Sequence, residues 1–319
     1  MMDLRLALGR VVLPNPVLVA AGTFGYGLEF ARSVRIERLG GLITKTLTRN
    51  PRTGNPPPRL VETPSGMLNA VGLQNVGLDA FLEKKLPELR RYRVPLIVSI
   101  MGENPQELGE MVEQLDDVEG VDVIEINLSC PNVHCSSSGT SGARIAVSQP
   151  GIVAQDPEAT EIMVRAARAK SAKTLIAKLS PEVTDMTPVA LSAERAGADA
   201  LSLVNTFVGM SIDARTRRSR LGAFTGGLSG PAIRPLAVYR VWYTARAVRI
   251  PIIGLGGIVR PEDAIEFFVA GASAVAIGTA NFVSPSAAIR VLDGIQRYME
   301  NHRISSLDEI RGSVALPGS

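Results

Sequence analysis

The chain has 319 residues, of which 45% are hydrophobic and only 4% are aromatic, a length and composition that favour one large α/β domain over two small ones. The 34 Lys and Arg residues nearly balance the 31 Asp and Glu residues, and the resulting net charge of +3 is spread along the chain. This even distribution argues against a nucleic-acid-binding protein, which would cluster its basic residues.

Membrane and disulfide-rich classes are also disfavoured. The first residues, MMDLRLALGRVVLPNP, lack the uninterrupted apolar core of a signal peptide. No run approaches the roughly 18 apolar residues of a membrane span. Two cysteines cannot form a disulfide framework. We therefore expect a soluble cytoplasmic protein whose cysteines serve chemistry rather than structure.

Eight short aliphatic runs recur along the chain, and helical spacing follows each of them. They are VLVAA (17–21), LITKTLT (42–48), PLIVSIMG (95–102), VIEINLSC (123–130), TLIAKLS (174–180), ALSLVNT (200–206), PIIGLGG (251–257) and AVAIGTA (274–280). Strands that are apolar on both faces and alternate with helices predict a parallel sheet. Eight such units predict an α/β fold of the (β/α)8 TIM barrel type, formed by residues 1–319 as a single domain. A doubly wound open sheet is the alternative, but no G-x-G-x-x-G follows the first strand.

Helices are predicted between these strands. Asp156 and Ser284 each precede a proline, which is typical of a helix start. An amphipathic helix is predicted by apolar residues at positions i, i+3, i+4 and i+7, which are Leu108, Met111, Val112 and Leu115.

Three long insertions follow predicted strands two, four and six. Residues 50–69 are rich in proline and are expected to be irregular, whereas residues 131–156 and 207–230 are rich in glycine or serine. Loops that follow barrel strands lie on the C-terminal face, where TIM barrels carry their active sites. We expect the three insertions to surround the functional site.

Glycines end the last two predicted strands, as Gly256–Gly257 and as Gly278 before Thr279. Backbone N–H groups without side chains at the ends of strands seven and eight are the usual phosphate site of a TIM barrel. Alternatively, these glycines serve only to turn the chain. Two pairs in these two strands favour a phosphorylated ligand.

Charged and amide side chains also end predicted strands. Lys45 and Lys178 lie inside apolar runs, where a charge is costly unless an acidic residue or an anionic ligand meets it. Carboxamides offer both donors and an acceptor, so several together could bind an imide or ureide ring. The amides at strand ends or in the loops that follow are Asn69, Asn127, Asn132 and Asn205.

The segment EINLSCPNVHC (125–135) combines Cys130, His134 and Cys135. A metal site needs three or four ligands, and outside this segment His302 is the only other histidine or cysteine. A packed, inert thiol is a second reading. The third is a thiol that acts as an acid or base, which needs access and a pKa lowered from about 8.5.

Over residues 1–300 the motifs resemble the class 1 dihydroorotate dehydrogenases. The segments that carry the resemblance are AAGTFGYG (20–27), TKT (44–46), GNPPPR (54–59), GMLNAVGLQNVG (66–77), INLSCPNV (126–133), AKLSP (177–181), LVNT (203–206), TGGLSGPAI (225–233), GLGGI (254–258) and GASAVAIGTANF (271–282). The resemblance implies an FMN-binding flavoprotein that oxidises (S)-dihydroorotate to orotate in the biosynthesis of pyrimidines and UMP, with no metal site.

Site residues follow from the same resemblance. Cys130 is implied as the base that removes the C5 proton while the hydride at C6 goes to flavin N5, and Lys178 is implied beside the N1/O2 edge of the ring. The implied FMN contacts are Gly22, Thr23, Lys45, Thr46, Ser99, Asn127, Lys178, Val204, Gly230, Gly256, Gly257, Gly278 and Thr279. The implied substrate contacts are Lys45, Asn69, Ala70, Val71, Gly72, Leu73, Asn127, Asn132, Asn205 and Thr206.

The GLQN and TGGLSGPAI segments resemble class 1B more than class 1A, whose acceptor is fumarate. Class 1B implies a homodimeric core and a partner subunit with an iron–sulfur cluster and FAD, which passes electrons to NAD⁺. Two cysteines cannot hold such a cluster on this chain.

The chain departs from the family pattern in three places. Ser99 replaces the usual FMN-contacting asparagine of strand three, the segment after PNV is longer by roughly a dozen residues, and Cys135 has no family counterpart, so we expect it to be dispensable. Rival readings are a dihydropyrimidine dehydrogenase module, a dihydrouridine synthase and a non-catalytic FMN-binding protein. The PNV sequence disfavours the first, and the even charge disfavours the second, which needs a basic RNA-binding surface.

Overall fold

A computed structural model describes residues 3–129 and 152–315. The strands in these ranges are β1 Leu6–Leu8, β2 Val11–Leu13, β3 Val17–Val19, β4 Gly41–Ile43, β5 Leu60–Thr63, β6 Gly66–Asn69, β7 Leu96–Ile100, β8 Val123–Asn127, β9 Thr174–Lys178, β10 Ala200–Leu203, β11 Phe207–Gly209, β12 Ile212–Asp213, β13 Arg218–Ser219, β14 Gly226–Ser229, β15 Ile252–Leu255 and β16 Ala274–Ile277.

The α-helices of the same ranges lie mostly between barrel strands. They are α1 Leu78–Ala80, α2 Leu86–Leu89, α3 Pro105–Asp116, α4 Pro157–Arg168, α5 Thr187–Arg195, α6 Arg234–Ala245, α7 Pro261–Ala270, α8 Ala280–Val283 and α9 Ala287–His302. A π-helical turn, Phe81–Lys85, joins α1 to α2, and short 3₁₀ turns occur at Ile36–Arg38, Val153–Gln155, Pro231–Ile233 and Leu307–Glu309. No helix within residues 3–129 and 152–315 is long and apolar enough to cross a membrane.

Eight strands close into a parallel barrel in the order β3, β4, β7, β8, β9, β10, β15 and β16. Each corresponds to one of the eight runs predicted from the sequence. The (β/α)8 barrel is therefore confirmed, and the open-sheet alternative is wrong, because β16 pairs with β3 and leaves no free edge.

Side chains of the barrel strands alternate between two apolar clusters, as the two-residue repeat of a strand requires. Val19 and Ile124 point outward into the cluster that also contains the buried faces of the helices. Leu18 and Val123 point inward into a separate cluster that fills the lower part of the barrel. This alternation explains why the strands read as continuous apolar runs.

An N-terminal hairpin of β1 and β2 covers the bottom of the barrel. Leu6, Leu8 and Leu13 of this hairpin join the inward-facing cluster, and the Thr174 hydroxyl at the start of β9 donates to the Leu8 carbonyl over 3.3 Å. The N-terminal end of the barrel is closed, so a ligand can enter from the C-terminal end.

Two of the predicted helix signals are confirmed and one is wrong. The apolar positions of α3 are buried as predicted, and Asp156 caps α4 by accepting from the Glu158 and Ala159 N–H groups at 2.8 and 3.3 Å. Ser284 does not begin a helix. It caps the C-terminal end of α8, and α9 begins three residues later at Ala287 with Ser286 at its N-cap, because the chain completes an extra short turn before the long helix.

The insertions after strands two and six are more regular than expected. Residues 50–69 contain the β5–β6 hairpin, so the expectation of an irregular segment is wrong for their second half. Residues 207–230 contribute β11 and β14, and the four strands form one antiparallel sheet in the order β11, β14, β6, β5. Four of the prolines precede the hairpin, and Pro64 lies in the turn between its strands, so none interrupts a strand. Most of the 131–156 insertion falls outside the described residues.

Candidate functional site

A cavity of about 670 Å³ lies at the C-terminal end of the barrel. Its floor is made by the ends of the barrel strands and the loops that follow them. The antiparallel sheet contributes one wall through Leu60, Met67 and Gly226. Both insertions that the structure describes therefore border the site, as the sequence predicted.

Nearly all predicted site residues that the structure describes line this cavity. They are Gly22, Thr23, Lys45, Thr46, Asn69, Ala70, Val71, Gly72, Leu73, Asn127, Lys178, Val204, Asn205, Thr206, Gly230, Gly256, Gly257, Gly278 and Thr279. Cys130 and Asn132 fall outside the described residues, as does Cys135. Ser129 and Ile152, the described residues on either side of that gap, both line the cavity.

Glycines at the ends of β15 and β16 form a concave wall of the cavity. Gly257 has φ +76°, a left-handed conformation that glycine adopts at little cost. A Cβ there would lie 2.7 Å from Arg234 Cβ and 2.9 Å from the Gly230 carbonyl oxygen, so close packing also requires glycine. Among the described residues, the N–H groups of Gly257 and Thr279 have no hydrogen-bond partner. This wall is suited to bind an anion. We call Gly230, Gly256, Gly257, Gly278 and Thr279 the anion cradle.

Two lysines reach the cavity from the barrel strands. Lys178 ends β9 and is only 5% exposed, and within the described part of the chain no carboxylate lies within 4.0 Å of its ammonium. Lys45 follows β4, and its Nζ lies 3.7 Å from the point where a Cβ on Gly22 would stand. A buried ammonium is costly without an opposite charge, so this floor favours an anionic or electron-rich ligand.

A hydrogen-bonded chain of polar side chains begins at the cavity wall. Asn205 Nδ2 donates to Ser129 Oγ over 2.7 Å, and that hydroxyl donates to Asn127 Oδ1 over 2.8 Å. Asn127 Nδ2 then donates to Thr46 Oγ1 over 3.2 Å. All four residues line the cavity, so the chain ties together the ends of three barrel strands.

The chain continues from Thr46 into the barrel interior. Thr46 Oγ1 and Ser99 Oγ are 2.9 Å apart, and Ser99 Oγ donates to Glu125 Oε1 over 2.9 Å. Ser99 and Glu125 are fully buried, and neither is among the described residues that line the cavity. The structure therefore does not bring Ser99, which the resemblance places against the cofactor, to the cavity surface. It places Ser99 one hydrogen bond behind Thr46.

The predicted substrate amides converge from the barrel and from the insertions. Asn69 ends β6, and its Nδ2 donates to the Gly227 carbonyl on β14 over 3.2 Å. A Cβ on Gly227 would clash with Thr206 Oγ1, so glycine lets β14 pass close to the end of β10. The Thr206 N–H in turn donates to Asn205 Oδ1 over 2.8 Å. Asn69, Asn205 and Thr206 thus share one wall.

Sequence reasoning missed several polar residues of the cavity. Ser129 links Asn127 to Asn205, Ser229 accepts from the Thr279 hydroxyl over 2.8 Å, and Glu182 lies at the rim. Ser129 and Ser229 stand inside the motifs INLSCPNV and TGGLSGPAI. Their position inside those motifs could have identified them as site residues. Serine is also common in ordinary loops, so the residue type gave no further indication.

The candidate metal ligands of the sequence do not come together in the described structure. Among the described residues, no group of three His, Cys, Asp or Glu side chains is arranged to hold a metal ion. His134 and Cys135 fall outside those residues, and His302 lies at the end of α9, away from the cavity lining. A site without metal stays a prediction.

Tyr26 is hydrogen-bonded to the segment that follows the cavity-lining residues 70–73. Its phenol oxygen accepts from the Val76 N–H over 3.2 Å, and the side chain is buried. Burial raises the pKa of Tyr26, the Glu29 carboxylate adds to this effect, and the Val76 N–H opposes it. The neutral phenol is therefore favoured by folding.

We expect this raised pKa to appear as a loss of stability in alkali. Above about pH 10 the unfolded chain releases the Tyr26 proton before the folded chain does, so the free energy of unfolding falls as pH rises through the folded pKa. Urea unfolding between pH 8 and pH 11 should show a steeper decline for the wild type than for Tyr26→Phe, which has no phenol to titrate. Parallel curves for the two proteins would contradict this.

The comparisons with known proteins agree with the motifs. A family model described as Dihydroorotate dehydrogenase matches residues 4–299. A relative from Citrifermentans bemidjiense is 48% identical over 315 residues, which is 98% of this chain and 99% of the relative. A relative from Trichlorobacter lovleyi is 48% identical over 308 residues, which is 96% of this chain and 97% of the relative. A relative from Geobacter sulfurreducens is 48% identical over 315 residues, which is 98% of this chain and 99% of the relative. Each relative is named Dihydroorotate dehydrogenase B (NAD(+)), catalytic subunit.

These matches span nearly the whole barrel, including every strand that contributes to the cavity floor. The resemblance seen in the sequence motifs is confirmed. The chain belongs to the dihydroorotate dehydrogenase family.

Proposed function

We propose that this chain is the catalytic subunit of an NAD⁺-dependent dihydroorotate dehydrogenase, an oxidoreductase that converts (S)-dihydroorotate to orotate in pyrimidine and UMP biosynthesis. The observation that carries this proposal is the cavity at the C-terminal end of the barrel, which gathers an anion cradle, two lysines and a set of amides. The names of the relatives support the same reaction.

FMN fits the residues of this cavity. The anion cradle offers unbonded N–H groups for the phosphate. Lys178, buried in the floor, would stabilise negative charge on the reduced ring. The other proposed FMN contacts that line the cavity are Gly22, Thr23, Lys45, Thr46, Asn127 and Val204. FMN, when bound, supplies the two-electron acceptor for the hydride at C6.

The residues of the chain orient the substrate and take its proton. Asn69, Asn127, Asn205 and Thr206 line the cavity together with residues 70–73. Asn132 and Cys130 complete the proposed substrate site by sequence. Cys130 follows directly after cavity-lining Ser129, and we assign it the base that removes the C5 proton.

Partner and assembly belong to the same proposal. Electrons leave toward NAD⁺ through a second subunit, which the relatives' names as catalytic subunits of an NAD⁺-linked enzyme support. The FAD and the iron–sulfur cluster of that subunit are proposed from the resemblance to class 1B. We further propose a homodimeric core, a cytoplasmic location and one FMN-binding domain formed by residues 1–319.

Flavin reduction by dihydroorotate tests the function directly. Anaerobic addition of dihydroorotate to the purified FMN-containing chain should bleach its yellow colour, because the substrate transfers two electrons to the flavin. A protein that only binds FMN would stay yellow, and that result would overturn the proposal. Bleaching by dihydrouracil instead would assign the chain to the dihydropyrimidine class.

The acceptor is identified by a second assay on the same protein. We expect NAD⁺ reduction only when an iron–sulfur flavoprotein subunit is co-expressed with the chain, and no turnover of the isolated chain with fumarate. Fumarate turnover by the isolated chain would contradict the NAD⁺ assignment and favour a class 1A enzyme.

A further inference from the structure

Glu125 is a charged residue in the middle of β8 and is fully buried. Val123, two residues earlier, faces the barrel interior, and the two-residue repeat of a strand turns Glu125 the same way. The same repeat turns Ser99 and Lys178 inward, after Ile97 and Ile176. The barrel therefore has a polar layer between its apolar plug and the cavity floor.

The donor direction along the chain from Asn205 to Glu125 is fixed at its upper end by the backbone. The Ser129 N–H, which can only donate, points to Asn127 Oδ1 at 3.2 Å. The Thr206 N–H does the same for Asn205 Oδ1. Both carboxamides are thereby oriented, and each presents Nδ2 to the next hydroxyl of the chain.

The lower end of the chain is fixed by the carboxylate. Ser99 donates its single hydroxyl hydrogen to Glu125 Oε1. Ser99 Oγ must then accept from Thr46, and Thr46 Oγ1 accepts from Asn127. Every hydroxyl hydrogen is used, and every donor points toward Glu125.

This direction determines what Asn127 can offer a ligand. Its Oδ1 already accepts from the Ser129 N–H and hydroxyl, and one Nδ2 hydrogen is given to Thr46. A carboxamide has two N–H hydrogens, so one donor remains for the cavity that Asn127 lines. This remaining N–H can donate to a ligand oxygen. Asn127 has no acceptor left for a ligand N–H.

We propose that Glu125 is a positioning residue: through Ser99 and Thr46 it reinforces the Asn127 orientation that the Ser129 N–H sets, with one N–H toward the cavity, and so favours an oxygen edge of the ligand. The inference deepens the proposed function and rests on it, since orotate and dihydroorotate carry carboxylate and carbonyl oxygens. Hydrogen bonds in such a chain strengthen one another in a medium of low polarity.

Within the described residues, one hydrogen bond holds the Glu125 carboxyl, the bond from Ser99. Glu125 Oε2 has no hydrogen-bond partner in the described part of the protein, which is costly for a buried group. Lys178 on the neighbouring strand β9 pairs in register with Asn127, two residues beyond Glu125, and within the described residues no ion pair joins the two side chains. Ser99 is therefore the polar partner through which Glu125 acts on the chain.

Orotate binding to the FMN-loaded protein tests this role without turnover. In Glu125→Ala the dissociation constant of orotate should rise about tenfold or more, the order expected when a hydrogen bond to a charged ligand is weakened. Glu125→Gln should recover much of the affinity, because its amide oxygen still accepts from Ser99. Ser99→Ala removes the link but keeps the carboxylate, and should weaken orotate binding to a similar degree.

A double-mutant cycle separates positioning from general stability. If the chain transmits the effect, Ser99→Ala combined with Glu125→Ala should cost no more orotate affinity than Ser99→Ala alone. Unchanged orotate affinity in the single variants, or fully additive losses, would overturn the inference. If the wild-type protein itself fails to bind orotate, it is the proposed function that fails.

Discussion

Replacing Cys130 with serine is expected to slow flavin reduction by dihydroorotate by about 10²- to 10⁴-fold, the range that a positioned general base contributes. A serine hydroxyl is nearly isosteric with the thiol but gives up its proton much less readily. The cavity residues proposed to hold FMN are untouched by this change, so the FMN content should equal that of the wild type. Stopped-flow absorbance after anaerobic mixing measures the rate.

Cys135→Ser is the matched control, because it makes the same chemical change five residues further along the chain. We expect it to reduce its flavin at the wild-type rate. Unchanged reduction in Cys130→Ser would remove the thiol from the mechanism. Loss of activity in Cys135→Ser would show that the second cysteine is needed.

The barrel was predictable because its signal is local. Each strand is apolar on both faces, as β9 shows, with Leu175 packed outward against helices and Ile176 packed inward. Helical spacing between the strands then implied parallel connections. The strand ends carried the polar residues, so the position of the site on the C-terminal face followed from the fold.

The antiparallel sheet over the cavity was not predictable in the same way. Gly227 on β14 pairs with Asn69 on β6, which lies 158 residues earlier in the chain. No periodicity within either insertion indicates a partner so distant, and the prolines near residue 56 argued against regular structure. The pairing depends on tertiary context, which strand propensity alone does not contain.

The buried position of Glu125 was not predicted from the sequence. The cost of a charge inside an apolar run drew attention to Lys45 and Lys178, and the same argument applies to Glu125 in VIEIN. What the sequence could not supply is the link through Ser99 and Thr46, since Glu125, Ser99 and Thr46 come from three different strands or strand ends. A hydrogen-bonded chain across strands becomes visible only when their register is known.

The anion cradle makes a second prediction with a large expected effect. Gly257→Ala places a Cβ against Arg234 and the Gly230 carbonyl, and the backbone must move to relieve the contact. Two hydrogen bonds to a charged phosphate, at about 1.5–3 kcal/mol each, would be weakened together. FMN affinity should fall by about 100-fold or more, as equilibrium dialysis with flavin fluorescence would show.

Gly312→Ala is the matched control for this substitution. Gly312 also has a left-handed φ, +67°, but a Cβ there meets no atom within 4 Å. Both variants add backbone strain of about 1 kcal/mol or more, so both should unfold more easily, yet only Gly257→Ala disturbs the cradle. Equal loss of FMN affinity in the two variants would point to general loosening of the barrel. Wild-type affinity in Gly257→Ala would place the phosphate elsewhere in the cavity, because a displaced cradle could not bind it unchanged.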